Sequence, residues 1–101
     1  MTRLLDITKK IRSKNAGPFW LTIDIFFNDD NMYQALKQHL KTDEVAALFA
    51  MKATDIKRFD IDDLLVIKFS LPRPHIQGTA RDTDMHGASF AALLEEMVIT
   101  L

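Results

Sequence analysis

A short basic segment near the amino terminus carries the residue types best suited to binding an anion. It runs from Arg12 to Gly17 and directly precedes a hydrophobic stretch. Arginine can grip a carboxylate or phosphate with its planar guanidinium, lysine adds a point charge, and asparagine both donates and accepts hydrogen bonds. A loop around Asn15 and Gly17 can also turn backbone N–H groups toward a ligand. The segment therefore predicts an anion-binding loop whose ligand-binding residues are Arg12, Ser13, Lys14, Asn15 and Gly17.

The same segment has a purely structural interpretation. It would suit a helix C-terminus closed by Asn15 or Gly17, because basic side chains are favourable near the last turn of a helix. The Gly17-Pro18 pair is also common in turns that connect two secondary-structure elements. The residues alone leave both interpretations open.

A further cation follows a later hydrophobic segment. Arg73 stands between Pro72 and Pro74, whose rings fix φ and present the arginine from a stiff turn. If segments 19–27 and 64–71 are antiparallel neighbours, the start of the first lies beside the end of the second. Arg12, Lys14 and Arg73 would then gather at one edge of the sheet as an anion-binding corner. The alternative is that the three cations are solvated and spread apart.

Asp82, Asp84 and His86 form the remaining group with chemically useful side chains. At a spacing of two they would share one side of an extended segment, where Asp and His can bind a divalent metal. Such residues are equally ordinary in turns and helix caps, so they remain candidates and no metal site is predicted. His86 has no evident serine or cysteine to activate, hence no self-contained catalytic constellation and no cofactor is expected.

Length and composition narrow the classes of protein. A chain of 101 residues predicts one domain spanning 1–101. The net charge of −1 gives no electrostatic case for nucleic acid or an anionic membrane. Cysteine is absent, which excludes disulfides and thiolate chemistry. Because no signal peptide or membrane-length apolar run is visible, a cytoplasmic location is expected.

Hydrophobic periodicity then predicts the elements that must position these residues. Alternation over 19–27 and 64–71 predicts two strands, and 56–60 a weaker one joined to 64–71 by a turn at 61–63. Residues 28–31 end the first strand and cap a helix over 31–41, and Thr42 is the expected N-cap of a second helix. A helix is predicted over 87–95 and a closing strand over 97–101. Residues 1–11 fit either a helical turn or an edge strand.

This order predicts an α+β fold: a ferredoxin-like antiparallel four-stranded sheet with helices on one face and the first crossover helix split in two. Odd-numbered residues of the two central strands, including Phe19, would form the core. The even-numbered ones would line an open face too apolar to stay uncovered, so a partner or second subunit should dock there. Asp24 and Lys68 would form an ion pair on that face. The predicted interface residues are Trp20, Thr22, Asp24, Phe26, Val66 and Lys68, with Ser70 beside them.

The sequence Ile-Arg-Ser-Lys-Asn-Ala-Gly-Pro-Phe over 11–19, with Pro72-Arg73-Pro74, Gly78, Asp82-Thr83-Asp84 and Gly87, resembles domain-of-unknown-function family 4387. These are small bacterial AtuA-like proteins expected to have a ferredoxin fold. In that family the domain occurs alone or behind a large AtuA-like domain tied to acyclic terpene utilisation. The attached versions carry Arg-Ser-Gly-Asp-Lys-Gly where this chain has Arg12 to Gly17, so the acidic residue is missing here. The resemblance implies a role beside a large subunit in carboxylic-acid or acyl-CoA breakdown.

Two classes of function follow. In the first, the chain is an accessory subunit that docks its open face on a large AtuA-like protein and offers the basic corner to a shared site. In the second, it is a homodimeric enzyme or binding protein for an anionic small metabolite. A domain this small has little room for a pocket of its own, which favours a site formed between chains.

Overall fold

The computed structural model describes residues 2–17, 19–72 and 88–99. Its main sheet contains four strands: β2 (Lys10–Asn15), β3 (Trp20–Phe26), β4 (Lys57–Ile61) and β5 (Val66–Pro72). They lie in the order β2-β3-β5-β4, and every neighbouring pair is antiparallel. The prediction of an α+β fold with a four-stranded antiparallel sheet is therefore confirmed, and so is the central pairing of β3 with β5.

Three helices follow strands of this sheet: α2 (Asp30–His39), α3 (Thr42–Leu48) and α4 (Ala88–Glu95). The carboxylate of Asp29 caps α2, because its Oδ1 accepts a hydrogen bond of 2.7 Å from the backbone N–H of Met32. The prediction for Thr42 is wrong by one position. Lys41 occupies the N-cap of α3 without a side-chain cap bond, and Thr42 is the first helical residue.

The core lies between these helices and one face of the sheet. The alternating residues of β3 and β5 that were predicted to face inward are completely buried. They pack with Leu36 and Leu40 from α2 and with Leu94 from α4. Each such aliphatic side chain contributes about 1.5–3 kcal/mol by its burial. The core positions supplied by the two central strands are Leu21, Ile23, Ile25, Ile67, Phe69 and Leu71.

Three hydrophobic residues depart from the predicted core. Phe19 precedes β3 instead of belonging to it, and its side chain is 57% exposed. Leu93 in α4 is 51% exposed, although the neighbouring Leu94 is completely buried. Tyr33 was not predicted to be buried, but it is inaccessible in the core and meets Phe27 edge to face, with 5.8 Å between ring centroids.

The turn between β4 and β5 also differs from the prediction. A single 3-10 turn spans Asp62–Leu64, and Leu65 follows it in the left-handed region with φ of 53°. The strand therefore begins at Val66, and Leu65 lies just before it, partly buried and packed against the core. The backbone N–H of Leu65 donates to the Asp62 carbonyl within the turn, and the Leu65 carbonyl accepts from the backbone N–H of Phe27, which follows β3.

Both alternatives for residues 1–11 occur, one after the other. The chain forms β1 (Thr2–Arg3), then α1 (Leu4–Ile7), and then enters β2 at Lys10. The predicted closing strand exists as β6 (Val98–Ile99), but it pairs with β1 in a separate two-stranded sheet. In a ferredoxin-like sheet the last strand of the chain would lie beside β3. Here β2 occupies that position at the edge of the sheet. None of the helices in the described ranges is long and apolar enough to cross a membrane.

Candidate functional site: the open face of the sheet

The predicted anion-binding loop is mostly a strand. Residues Lys10 to Asn15 pair with β3 along their whole length, so neither the loop nor the alternative helix C-terminus is correct for them. The sequence held the signal, since polar and less polar residues alternate from Lys10 to Asn15 as they do on a half-exposed strand.

Only the end of this segment forms a turn. The backbone N–H of Ala16 donates to the carbonyl of Trp20 at 2.9 Å and closes the β2–β3 hairpin. Gly17 has φ of +86°, a conformation that residues with a Cβ rarely adopt. The glycine is thus explained by the turn geometry alone. Pro18 lies outside the described residues.

The strand separates the predicted ligand-binding residues onto two faces. Directly opposed residues of an antiparallel pair point to the same side, so Ser13 faces the helices with Ile23, and Asn15 does so with Leu21. The hydroxyl of Ser13 accepts a hydrogen bond of 3.2 Å from the backbone N–H of Ala91 in α4. Ser13 and Asn15 therefore lie on the side opposite Arg12 and Lys14.

Arg12 and Lys14 instead join the residues predicted to form the interface. The register places Arg12, Asp24, Lys68 and Phe59 in one row across the four strands. Three more rows run parallel to it, and together they make up the open face, meaning the side of the sheet that points away from the core. The neighbouring rows are Lys10, Phe26, Val66 and Ile61; Lys14, Thr22, Ser70 and Lys57; and the pair Trp20 and Pro72.

The open face is strongly basic although the chain as a whole is not. Among the described residues of its four strands, it holds five basic side chains, Lys10, Arg12, Lys14, Lys57 and Lys68, and the single carboxylate of Asp24. Asp24 lies between Arg12 and Lys68 in its row, but no ion pair within 4.0 Å joins it to either one in the described part of the chain. The predicted Asp24–Lys68 ion pair is therefore not formed.

Aromatic side chains accompany the charges. Trp20 is 41% exposed and Phe59 is 48% exposed, and the ammonium of Lys57 lies 5.8 Å from the centroid of the Trp20 ring. Phe26 is half-buried. Val66, in contrast, is only 5% exposed between Phe26 and Ile61, so it offers little surface to a partner, contrary to the prediction.

Sequence reasoning missed Lys10, Lys57 and Phe59. In β4, Lys57, Phe59 and Ile61 point to the open face, whereas Arg58 points to the core, where its guanidinium lies 5.7 Å from the centroid of the Phe69 ring. This alternation is short and contains no run of strong β-formers, which is why the strand looked weak. The face assignment needed the register with β5, and one sequence does not contain that register.

A second polar cluster lies at the turn between β4 and β5, on the helix side. The buried hydroxyl of Tyr33 donates to Asp62 Oδ1 at 2.6 Å, and the ammonium of Lys37 donates to the same oxygen at 2.9 Å. These hydrogen bonds, from Tyr33 first and then Lys37, hold the pKa of Asp62 below its usual value. Burial, followed by the bond to Asp62, raises the pKa of Tyr33. These bonds tie Tyr33 and Lys37 of α2 to Asp62 in the turn, and we call the three residues the clamp.

Arg58 extends the clamp to the end of α2. Its guanidinium donates to the carboxylate of Asp60 at 3.0 Å and to the backbone carbonyls of Lys37 and Leu40. The last carbonyls of a helix lack partners within the helix, and an arginine is well suited to satisfy them. The clamp thus fixes α2 against β4, and it leaves the open face to other side chains.

The remaining predicted residues cannot be placed. Arg73, Asp82, Asp84 and His86 lie outside the described residues, and so do Gly78 and Gly87 of the family-like motif. Within the ranges that the structure does describe, no three His, Asp or Glu side chains are grouped as a metal site requires.

Comparison with known proteins gives one match. A family model described as "Domain of unknown function (DUF4387)" matches residues 4–97. That range includes every strand of the main sheet and the helices α1 to α4. No curated protein and no solved structure matches the chain.

Proposed function

This chain belongs to the DUF4387 family, and on that premise we propose that it is an accessory subunit which docks the open face of its sheet on a larger, acidic protein. The observation that carries the proposal is the composition of that face. It combines five basic side chains, one carboxylate and two exposed aromatic rings on a chain whose net charge is −1. Aromatic and arginine side chains are enriched in protein interfaces, and complementary charge selects the partner.

Protection of the sheet edges does not account for all of these charges. Lysines on edge strands guard a sheet against pairing with other chains, and this covers Lys10 and Lys14 in β2 and Lys57 in β4. Lys68 lies in the central strand β5, where no edge needs protection. Arg12 is also not needed for solubility alone, since its planar guanidinium is suited to bind a carboxylate or phosphate through two hydrogen bonds.

The partner is an AtuA-like large protein, and the shared chemistry is carboxylic-acid or acyl-CoA catabolism. The support for this assignment is the resemblance of the Arg12–Gly17 segment to domains attached to AtuA-like proteins. An anionic small molecule would bind at the interface of the two proteins, along the basic edge formed by Lys10, Arg12 and Lys14. Ser13 and Asn15 no longer belong to this ligand site, because they face α4 and the core.

A homodimeric enzyme or binding protein, the alternative function, is disfavoured by the same face. A two-fold axis would bring the open face of one copy against the open face of the other. Five cations would then meet five cations with one carboxylate on each side. Like charges in close juxtaposition cost several kcal/mol, so this dimer is not expected to be stable.

The test is co-expression with the AtuA-like protein encoded in the same genome, followed by light scattering. We expect a hetero-complex of defined mass, and the pair should then be assayed with acyl-CoA substrates. A homodimer of this chain that ignores the large protein would overturn the proposal. So would stronger binding of a thymidine oligonucleotide than of the large protein, because the face would then serve a nucleic acid.

Charge reversal on the open face sharpens this test. The double variant Arg12→Glu, Lys14→Glu should weaken the complex at least about tenfold, since several favourable ion pairs become repulsive. Its matched control is Lys41→Glu, Lys52→Glu, which makes the same change in net charge at two exposed lysines outside the sheet. Equal weakening by both variants would mean that only overall charge matters, and the open face would lose its role.

A further inference from the structure

We propose that the tip of the β2–β3 hairpin, formed by Phe19 and Trp20, is the anchor that inserts into an apolar pocket of the acidic partner protein. This inference rests on the proposed function and adds the chemistry of the partner's site. The two aromatic side chains are adjacent in sequence and 57% and 41% exposed. Both lie at the end of the basic face where β2 connects to β3.

Backbone pairing holds Trp20 on both sides. The hydrogen bond between Ala16 N–H and the Trp20 carbonyl closes the hairpin, and Trp20 pairs with Pro72 on its other side. Gly17 takes the positive φ that the turn requires. An aromatic side chain on a preorganised turn loses little conformational entropy when it is buried, which is the property of residues that dominate binding energy.

Lys57 determines what surrounds the pocket. Its ammonium lies 5.8 Å from the Trp20 ring centroid, so a pocket that takes the indole also receives this charge at its rim. A buried cation is tolerated only beside an anion. The partner's pocket must therefore be apolar at its base and carry a carboxylate at its rim, within reach of Lys57.

Phe59 supplies a natural comparison. It is also an exposed aromatic residue of the open face, at 48%, but it lies on the strand β4 at the opposite edge from β2. If the anchor is the hairpin tip, binding depends on Trp20 far more than on Phe59. If the whole face is a uniform docking surface, the two truncations cost similar amounts.

The experiment uses the fact that Trp20 is the single tryptophan of the chain. Protein labelled with 5-fluorotryptophan gives one fluorine NMR signal, and the unlabelled AtuA-like protein contributes none. We expect this signal to shift on complex formation and to lose its sensitivity to a soluble paramagnetic quencher. Trp20→Ala should weaken the complex at least about 30-fold, and Phe59→Ala less than about threefold. Circular dichroism of both variants checks that each remains folded.

The outcomes separate the two proposals. A complex that forms while the fluorine signal stays unchanged and quencher-accessible overturns the anchor and leaves the accessory role intact. Absence of any complex overturns the accessory role itself. A shift that depends only on the concentration of this chain shows that a second copy covers the tip, and a shift produced by a thymidine oligonucleotide shows that a polyanion does. Either of these two results overturns the inference.

Discussion

At the scale of single residues, the end of α3 shows a conformation that its residue type does not favour. Ala50 has φ of 56°, in the left-handed region usually occupied by glycine. The backbone N–H of Met51 donates to the Ala46 carbonyl, and that of Ala50 donates to the Ala47 carbonyl. These two bonds define a Schellman motif, in which the residue after the C-cap must be left-handed.

Ala50→Gly should therefore stabilise the protein. Glycine adopts this conformation without a Cβ clash, and after its larger entropy loss on folding the net gain is about 0.5–1 kcal/mol. For a domain of this size the thermal midpoint should rise by about 3–6 °C. The control is Ala47→Gly in the same helix, which should lower stability by about 1 kcal/mol. If both glycines lowered the midpoint, the left-handed position would not be strained.

The clamp at Asp62 predicts a dependence on pH. Its folded-state pKa lies below the value of about 3.9 for an unfolded aspartate. A depressed pKa contributes stability that is fully present above the unfolded value and is lost as the pH falls through the folded one. The difference in thermal midpoint between the wild type and Asp62→Asn should thus be largest near neutral pH and shrink below about pH 4.

Asp63→Asn is the matched control for this prediction. Asp63 is the neighbouring exposed carboxylate, and it makes no ion pair within 4.0 Å in the described part of the chain. We expect it to follow the wild type at each pH. A constant difference between wild type and Asp62→Asn from pH 7 to pH 3 would show that the charge of Asp62 does not hold the clamp.

At the scale of elements, the sequence predicted the two central strands, where strong β-formers alternate, and the weaker strand β4, but it did not predict β2 over its full length. The pattern from Leu21 to Phe27 was sufficient, because one face is wholly buried against helices. β2 was missed because it lies at the edge, where polar side chains can occupy both faces. Its position beside β3 depends on long-range pairing that periodicity cannot supply. The residues predicted to form a binding loop therefore lie in a strand, and Arg12 and Lys14 belong to one face of the sheet.

The contact between β2 and α4 gives a prediction about Ser13. Its hydroxyl accepts the bond from Ala91 N–H, which lies in a buried part of α4. Ser13→Ala leaves this donor without its partner and should destabilise the fold by about 1 kcal/mol. Urea unfolding measures the loss. Binding of the partner should be unaffected, because Ser13 points away from the open face.

Arg12→Ala, at the position before Ser13 in β2, should affect binding and not stability. Its side chain is exposed and makes no ion pair among the described residues, so its removal should leave the unfolding midpoint nearly unchanged. It should instead weaken binding of the partner or anion. If Ser13→Ala weakened binding and Arg12→Ala weakened the fold, the assignment of the two faces would be wrong.

At the scale of the whole molecule, the total charge conceals how charge is distributed. A net charge of −1 with five cations on one face means that the remaining surface is acidic. Composition gave no reason to expect a partner bound by charge, because the net charge does not show where on the surface the charges lie. Only the register of the four strands shows that one side of the molecule is positive.

Association with the partner should therefore depend strongly on salt. Opposite charges steer two proteins together before they touch, and salt screens that attraction. Raising the ionic strength from about 0.05 M to about 0.5 M should slow association about tenfold or more, with a smaller effect on dissociation. Stopped-flow kinetics measures both rates. Association that is insensitive to salt would mean that the basic face does not guide the encounter.

The strand order β2-β3-β5-β4 divides the main sheet into two halves that are continuous in the chain. Each half of the main sheet is a hairpin followed by helix: β2 and β3 lead into α2 and α3, and β4 and β5 precede α4. The halves meet where β3 pairs with β5, so an approximate two-fold axis runs through the centre of the sheet. A chain cut between α3 and β4 should therefore reassemble from its two fragments, because the two halves meet through the pairing of β3 with β5.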